Sequence, residues 1–312
     1  MSPRYHIVLN SHSGSASGVD AQRLGALFDQ HGHEATIDAE TEAPLEARVR
    51  RAVDSAAPIV VAAGGDGTVT ALAKAAMDSR KQLAILPLGT ANLLARDLGL
   101  PLDVEAWVAQ LREMEPRRID VGEVNGRVFL HKVVLGTIPG IAAVREEIRD
   151  RPGLMSRLAF LAYFARRLAR ARRIAVEVTP SDGPPHIERV QSIAIGNNSY
   201  DEGIGRFFSR SRLDAGRLSV YVLKHLGFDD VMRLAAGMLL GTWRHDEVLE
   251  IDDVRALTLR LKRRKVRVML DGEIAMLDAP LHFTLRPRAL SVVAPPLVTA
   301  PEPATDIAAQ PI

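Results

Sequence analysis

Residues 58–77 read PIVVAAGGDGTVTALAKAAM, and this stretch decides the fold. Ile59, Val60 and Val61 form a short β-branched run, the mark of a buried strand. Gly64-Gly65-Asp66-Gly67 follows as a turn of four residues. Val69, Leu72, Ala73, Ala76 and Met77 then recur at the spacing of one helix face. The order is strand, glycine turn, helix. Such a junction gathers unpaired backbone N–H groups and the positive end of a helix dipole at one point. Polyphosphate is a natural ligand there. The glycines let the backbone approach a ligand closely, and Asp66 is placed to orient a hydroxyl or a metal ion carried by the phosphates. GGDG is equally a good tight turn that needs no ligand, so the turn alone does not establish a site.

On the N-terminal side, residues 5–9 read as a first strand, followed by the polar turn Asn10-Ser11-His12-Ser13-Gly14. A helix is predicted over 19–30, with Leu24, Leu27 and Phe28 on one face. A strand at 34–38, the pair Thr41-Glu42 and a helix over 45–54 come next. On the C-terminal side, a strand at 83–86 ends in Pro87-Leu88-Gly89-Thr90-Ala91-Asn92. Strands alternating with helices imply a parallel α/β sheet that binds ligands at the carboxyl ends of its strands. Each of the three polar turns follows a strand, so all three fall along one edge.

A helix is predicted from Pro101 to about Met114, and then the pattern changes. Residues 118–124 and 127–134 flank Asn125-Gly126, the strongest short hairpin signal. Strands are predicted at 174–179, 190–195, 218–223, 254–261, 265–270 and 281–285. The fold class is an α/β N-terminal domain with a parallel sheet, over residues 1–124, and a mostly antiparallel β domain over 125–288. Two helices interrupt the second domain. Residues 154–171 carry Leu158, Phe160, Leu161, Tyr163, Phe164 and Leu168 beside Arg157, Arg166, Arg167 and Arg170, the make-up of an interfacial helix or of a packed helix with a basic wet face. Residues 231–240 form a plainer packing helix. The tail 295–312, with five prolines and no periodicity, is expected to be disordered.

Composition narrows the function. The 312 residues contain no cysteine, which excludes thiol catalysis, disulfides and cysteine-based zinc sites. No apolar run is long enough for a membrane-spanning helix, and the N-terminus lacks a signal-peptide core. The net charge is only +2, but basic residues cluster: residues 151–173 hold seven arginines and no acid, and 255–268 hold seven Arg or Lys and no acid. These patches suit an anionic partner, or they are solvated faces. Nucleic acid is disfavoured, because no reading module accompanies them. His31-Gly32-His33 has a metal-like spacing but is expected to be an exposed turn, and no metal site is predicted.

The decisive feature is a combination. Asn10-x-x-Ser13-Gly14, Gly64-Gly65-Asp66-Gly67-Thr68 and Pro87-Leu88-Gly89-Thr90-x-Asn92 occur in order, each after a strand, and Asp271-Gly272-Glu273 follows late in the chain. This resembles the diacylglycerol kinase catalytic-domain family, which includes bacterial soluble diacylglycerol kinases, YegS-like lipid kinases, sphingosine kinases and ceramide kinases. The resemblance covers about residues 4–294. GGDGT is shared with NAD kinases; together with PLGTxN and a distal DGE it marks the lipid branch. The resemblance implies ATP and Mg²⁺ as cofactors, with the nucleotide in a cleft between two domains. It also implies that a last strand near 289–294 returns to the first domain. It implies nucleotide contacts at Asn10, Ser13, Gly14, Thr41, Gly64, Gly65, Asp66, Gly67, Thr68, Thr90 and Asn92. Glu273 would be the general base, and Asp271, one residue away on an extended strand, would face the same side and help bind the metal.

The implied reaction is transfer of the γ-phosphoryl group to a lipid hydroxyl, with diacylglycerol as leading acceptor. The implied partners are a membrane lipid and an anionic membrane surface, and the implied location is the cytoplasm, with peripheral contact at the inner membrane face. NAD kinase and a catalytically impaired nucleotide- or membrane-binding regulator are the alternatives. Leu93 stands where many members have Asp. In Leu213-Asp214-Ala215-Gly216, Ala215 stands where the second Asp of some bacterial members helps hold a structural metal, so that metal is not carried over.

Overall fold

The computed structural model describes residues 4–10, 19–136, 173–203, 209–224, 228–247 and 249–297. The helix expected at 154–171, the turn residues Ser13 and Gly14, and the tail beyond residue 297 lie outside the described residues.

The first four strands are β1 (Arg4–Leu9), β2 (Glu34–Asp38), β3 (Ile59–Gly64) and β4 (Gln82–Pro87), hydrogen-bonded in the order β2-β1-β3-β4 with every pair parallel. Helices α1 (Ala21–Gln30), α2 (Leu45–Asp54) and α3 (Asp66–Ser79) are the crossovers. Asp20 caps α1 by accepting from the Arg23 N–H at 2.7 Å. Every residue of β3 is buried, as befits a parallel strand covered on both faces. Short helices α4 (Leu93–Asp97) and α5 (Val104–Gln110) follow β4. Trp107 of α5 is fully buried beside Phe28 of α1, with ring centroids 6.3 Å apart. His33 is buried rather than exposed: its ring packs edge-on against Tyr5 and Phe28.

From residue 115 the chain is mainly antiparallel β. The strands are β5 (Glu115–Val124), β6 (Arg127–Phe129), β7 (Lys132–Gly136), β8 (Ile174–Pro180), β9 (His186–Val190), β10 (Ser192–Asn197), β11 (Leu218–Leu223), β12 (Leu249–Val254), β13 (Ala256–Leu261), β14 (Lys265–Leu270), β15 (Glu273–Asp278) and β16 (Leu281–Ala294), with helix α6 (Phe228–Leu240) after β11. One layer runs β12-β11-β10-β7-β14-β15; β8, β9, β13 and the start of β16 form the other. Val133, Ile193, Ile195, Val220 and Val268 from the first layer meet Val176, Leu257, Leu259 and Phe283 from the second.

The strands expected at 190–195 and 254–261 are β10 and β13, each starting two residues later; Val190 and Val254 instead end β9 and β12, which were not expected, and the chain changes layer at Gln191 and Arg255. Conversely, the strands expected at 281–285 and 289–294 are one strand, β16, bulged between Arg286 and Leu290. Its start pairs with β13 and its end pairs parallel with β4, at Val292 and Leu83. A single sheet therefore runs from the nucleotide-type unit into the sandwich.

Candidate active site

The second and third polar turns meet, and Asn10, the described residue of the first, joins them. β1 ends beside β3, and the Asn10 N–H donates to the Ala63 carbonyl at 2.8 Å. The Asn10 amide nitrogen lies 3.2 Å from the Thr68 hydroxyl, which joins the first turn to the second. β4 ends beside β3, so the third turn lies on the other flank. There a methyl group on Gly89 would stand 2.6 Å from the Gly65 Cα, a contact that only two glycines permit. Asp66 completes the junction by accepting from the Leu93 N–H at 3.0 Å. Burial pushes the Asp66 carboxyl above its ordinary range, and the amides of Leu93 and Asn92 pull it back. Leu93 contributes through its backbone, so its departure from Asp leaves this contact intact.

Helix α3 begins at Asp66, not after Gly67 as its apolar spacing predicts. Gly65 is the N-cap and has no side chain with which to close the helix end. Asp66, Gly67 and Thr68 therefore form the first turn, whose N–H groups have no carbonyl partner within the helix. The anion-binding element is a helix N-terminus entered through two glycines.

Glu273 arrives from the sandwich. A methyl group on Gly67 would lie 2.6 Å from its Oε1, so the carboxylate stands directly over the first turn of α3. Asp271 and Glu273 do not share one face of an extended strand, as their spacing predicted. Asp271 (φ 48°) and Gly272 (φ 97°) form the turn of the β14–β15 hairpin, and Glu273 opens β15. The Asp271 carboxylate accepts from the N–H groups of Leu130 (2.7 Å), His131 (2.9 Å) and Lys132 (2.9 Å), and its own N–H donates to the Lys132 carbonyl at 2.9 Å. It clamps the hairpin to the β6–β7 turn and so fixes where Glu273 begins. Burial raises the Asp271 carboxyl, and the three amides oppose the rise.

Sequence reading missed the layer behind this turn. Arg210, fully buried, donates from Nε and from a terminal nitrogen to Asp97 Oδ2 at 2.9 and 2.6 Å. Its other terminal nitrogen reaches the carbonyls of Leu130 (2.8 Å) and Asn197 (2.6 Å). One guanidinium thus ties α4 to the turn that Asp271 holds. Tyr200 hydrogen-bonds His131 Nδ1 at 3.0 Å, and the Lys132 ammonium sits 5.5 Å from the centre of the Tyr200 ring. Burial, then the Arg210 charge, lowers the Lys132 pKa to about 8, against the pull of Asp271. The one local signal was Asp97, placed just after the third motif on α4.

The remaining predicted residues divide. Thr41 and Thr90 are exposed near the strand ends. Gly64 is buried against Thr68. Asn92, in the left-handed region (φ 49°), turns its side chain inward, accepting from the Gly89 N–H at 2.9 Å and donating to the Gly89 carbonyl at 2.7 Å. It shapes the third turn instead of reaching out from it. The loop around Asp214 is held by protein groups: Gly216 N–H donates to Asp120 at 2.7 Å, Ala215 N–H to Asn198 at 3.0 Å, and Arg288 pairs with Asp214 at 3.2 Å. A guanidinium already faces the one acid of this loop, so its residues do not fit a structural cation.

Comparison with known proteins gives a consistent picture. Residues 4–124 match the family model described as the diacylglycerol kinase catalytic domain, and residues 137–294 match the YegS C-terminal NAD kinase beta sandwich-like domain. A probable lipid kinase YegS-like from Pseudomonas aeruginosa is 31% identical over 307 residues, covering 95% of this chain and 97% of that protein. A diacylglycerol kinase from Bacillus subtilis is 27% identical, covering 86% of this chain and 88% of that protein. A crystal structure of a diacylglycerol kinase from Bacillus anthracis superimposes with a TM-score of 0.68 at 18% identity, covering 95% of this chain and 98% of that one. These matches, over an α/β unit and a sandwich of the YegS type, place this chain in the diacylglycerol kinase catalytic-domain family of lipid kinases.

Proposed function

We propose that this chain transfers the γ-phosphoryl group of ATP to a hydroxyl of a membrane lipid, diacylglycerol or a close relative. The observation that carries the reading is Glu273 standing over Gly67, because it brings a carboxylate from the sandwich to the point where a helix N-terminus would hold polyphosphate. Phosphoryl transfer depends chiefly on positioning and on stabilising charge. The N–H groups at the start of α3 would take the phosphates, with the hydroxyls of Thr41 and Thr90 beside them. Glu273 would accept the proton of the lipid hydroxyl as its oxygen bonds to the γ-phosphorus and the bond to the β–γ bridging oxygen breaks, releasing ADP. Asp271 is the positioning residue for Glu273, and Asp66 fixes the third turn against the second.

Mg²⁺ bound with the nucleotide would supply charge neutralisation on its phosphates. Among the described residues, no three His, Asp or Glu side chains gather into a cage. The Glu273 carboxylate over Gly67 would lend one oxygen to an ion held mainly by phosphate oxygens. No helix among the described residues is long and apolar enough to cross a membrane. The reading takes the encounter with lipid to be peripheral, at the inner face of a cytoplasmic membrane.

The test is incubation of the purified chain with γ-labelled ATP and either a total lipid extract or NAD, with identification of the labelled product. Label in a lipid monophosphate supports the reading. Label in NADP overturns it in favour of NAD kinase, and ATP binding with no label in either acceptor overturns it in favour of a regulator.

A further inference from the structure

A second basic site lies away from the glycine turns. At the bulge of β16 a cavity of about 370 Å³ opens between the start of β5 and the loop before β11. Arg117, Arg118 and Arg288 line it, with Asp214 as the acid among them. Asp214 is committed to Arg288 at 3.2 Å. Among the described residues, Arg118 hydrogen-bonds the Arg288 carbonyl at 3.3 Å, and the buried Nε of Arg117 has no hydrogen-bond partner. Burial lowers the Arg117 pKa, and only Asp214 opposes the shift. A buried donor on a permanent cation costs free energy unless an acceptor meets it. An adjoining cavity of about 250 Å³, sharing Arg118 and adding Arg80 and Lys81, deepens the positive potential.

Arg80 ends the 14-residue α3, which is about 21 Å long at its usual rise per residue, so this region sits at the opposite end of that helix from Gly65.

We propose that the arginine cavity binds a phosphate-class oxyanion, free or as the phosphate headgroup of an anionic lipid, with Arg117 as the donor that selects it. The guanidinium offers paired N–H groups to two phosphate oxygens, geometry that a chloride ion cannot match. The bound group would lie against β5 and β16, the strand pair that links the sandwich to the parallel sheet.

The full chain, with a non-hydrolysable ATP analogue and Mg²⁺ present to fill the glycine turns, is melted in phosphate and in chloride at equal ionic strength. Phosphate at about ten times its Kd is expected to raise Tm by about 2–4 °C. Arg117→Met is expected to abolish most of that shift while melting in chloride close to the parent, because it removes a half-buried charge whose Nε has no partner among the described residues. Should that variant misfold, Arg288→Ala, which keeps the buried guanidinium and loses an exposed one, is expected to weaken the shift. The same proteins are floated with phosphatidylcholine vesicles with and without phosphatidate. A variant-sensitive Tm shift with unchanged flotation identifies the free anion; variant-sensitive, phosphatidate-dependent flotation identifies the headgroup. The proposal is overturned if the parent shows neither response, or if its responses persist undiminished in both variants. None of these outcomes depends on phosphoryl transfer, so the two readings fail separately.

Discussion

In the turn between β3 and α3 the glycines make room, whereas in the turn between β14 and β15 the glycine supplies a dihedral angle. A side chain on Gly67 would meet Glu273, and one on Gly89 would meet the main chain of Gly65. Around Gly272 nothing lies within 4 Å, and what matters there is φ 97°. The first turn is built around the space it leaves, and the second around a direction change that aims one carboxylate at that space. An added atom would press on backbone at Gly89 and on a movable carboxylate at Gly67, while at Gly272 it would cost only conformation.

The largest expected effect tests whether the aimed carboxylate acts chemically. Glu273→Gln keeps the shape and removes the base. We expect kcat to fall by about 10²–10⁴ while nucleotide affinity and Tm stay near those of the parent. An unchanged kcat would demote Glu273 to a contact residue. Next comes Gly89→Ala. Its new methyl meets backbone that cannot swing aside, so we expect a loss of about 1–3 kcal/mol in denaturant unfolding and weaker nucleotide binding.

The third prediction concerns the support beneath the second turn. With Lys132 at about 8 when folded against an ordinary 10.5, the unfolded chain holds the extra proton between those values. Unfolding free energy should therefore rise with pH across that window, by about 1–2 kcal/mol after discounting for partial exposure. Above about pH 10 the tyrosines act oppositely, since burial raises Tyr5, Tyr200 and Tyr221. Subtracting the profile of Lys132→Met isolates the lysine, and an identical slope in both proteins would refute its role. The smallest effect is Gly272→Ala. It should cost about 1 kcal/mol of stability, from the positive φ alone, with nucleotide binding unaffected.

The turns of the first unit were legible because their chemistry is local: each follows a strand, and glycine or a short polar residue is needed at the place where it stands. The α/β alternation was legible for the same reason. The sandwich was harder. At Gln191 and Arg255 the chain passes from one sheet to the other; β10 and β13 were legible with starts two residues early, while β9 and β12 before them, with exposed polar positions along them, gave no strand signal. Asp271-Gly272 carried a hairpin signal as plain as Asn125-Gly126, but its two-residue spacing to Glu273 also suits a straight strand, and only the fold decides for the turn. Arg210 and Asp97 are 113 residues apart, and no window along the chain could pair them. What sequence pattern conceals here is long-range closure, the very feature that sets the carboxylate over the helix.

The path of β16 has a consequence for synthesis. The parallel sheet is complete on its β4 flank only when residues near Val292 lie alongside Leu83. A chain leaving the ribosome carries all three glycine-bearing turns long before that flank is covered. The nascent nucleotide unit must wait, with one edge of β4 open, for almost the whole sandwich to be translated. Chaperone dependence and sensitivity to C-terminal nonsense mutations should therefore fall on the nucleotide half, although the missing residues lie more than two hundred positions downstream.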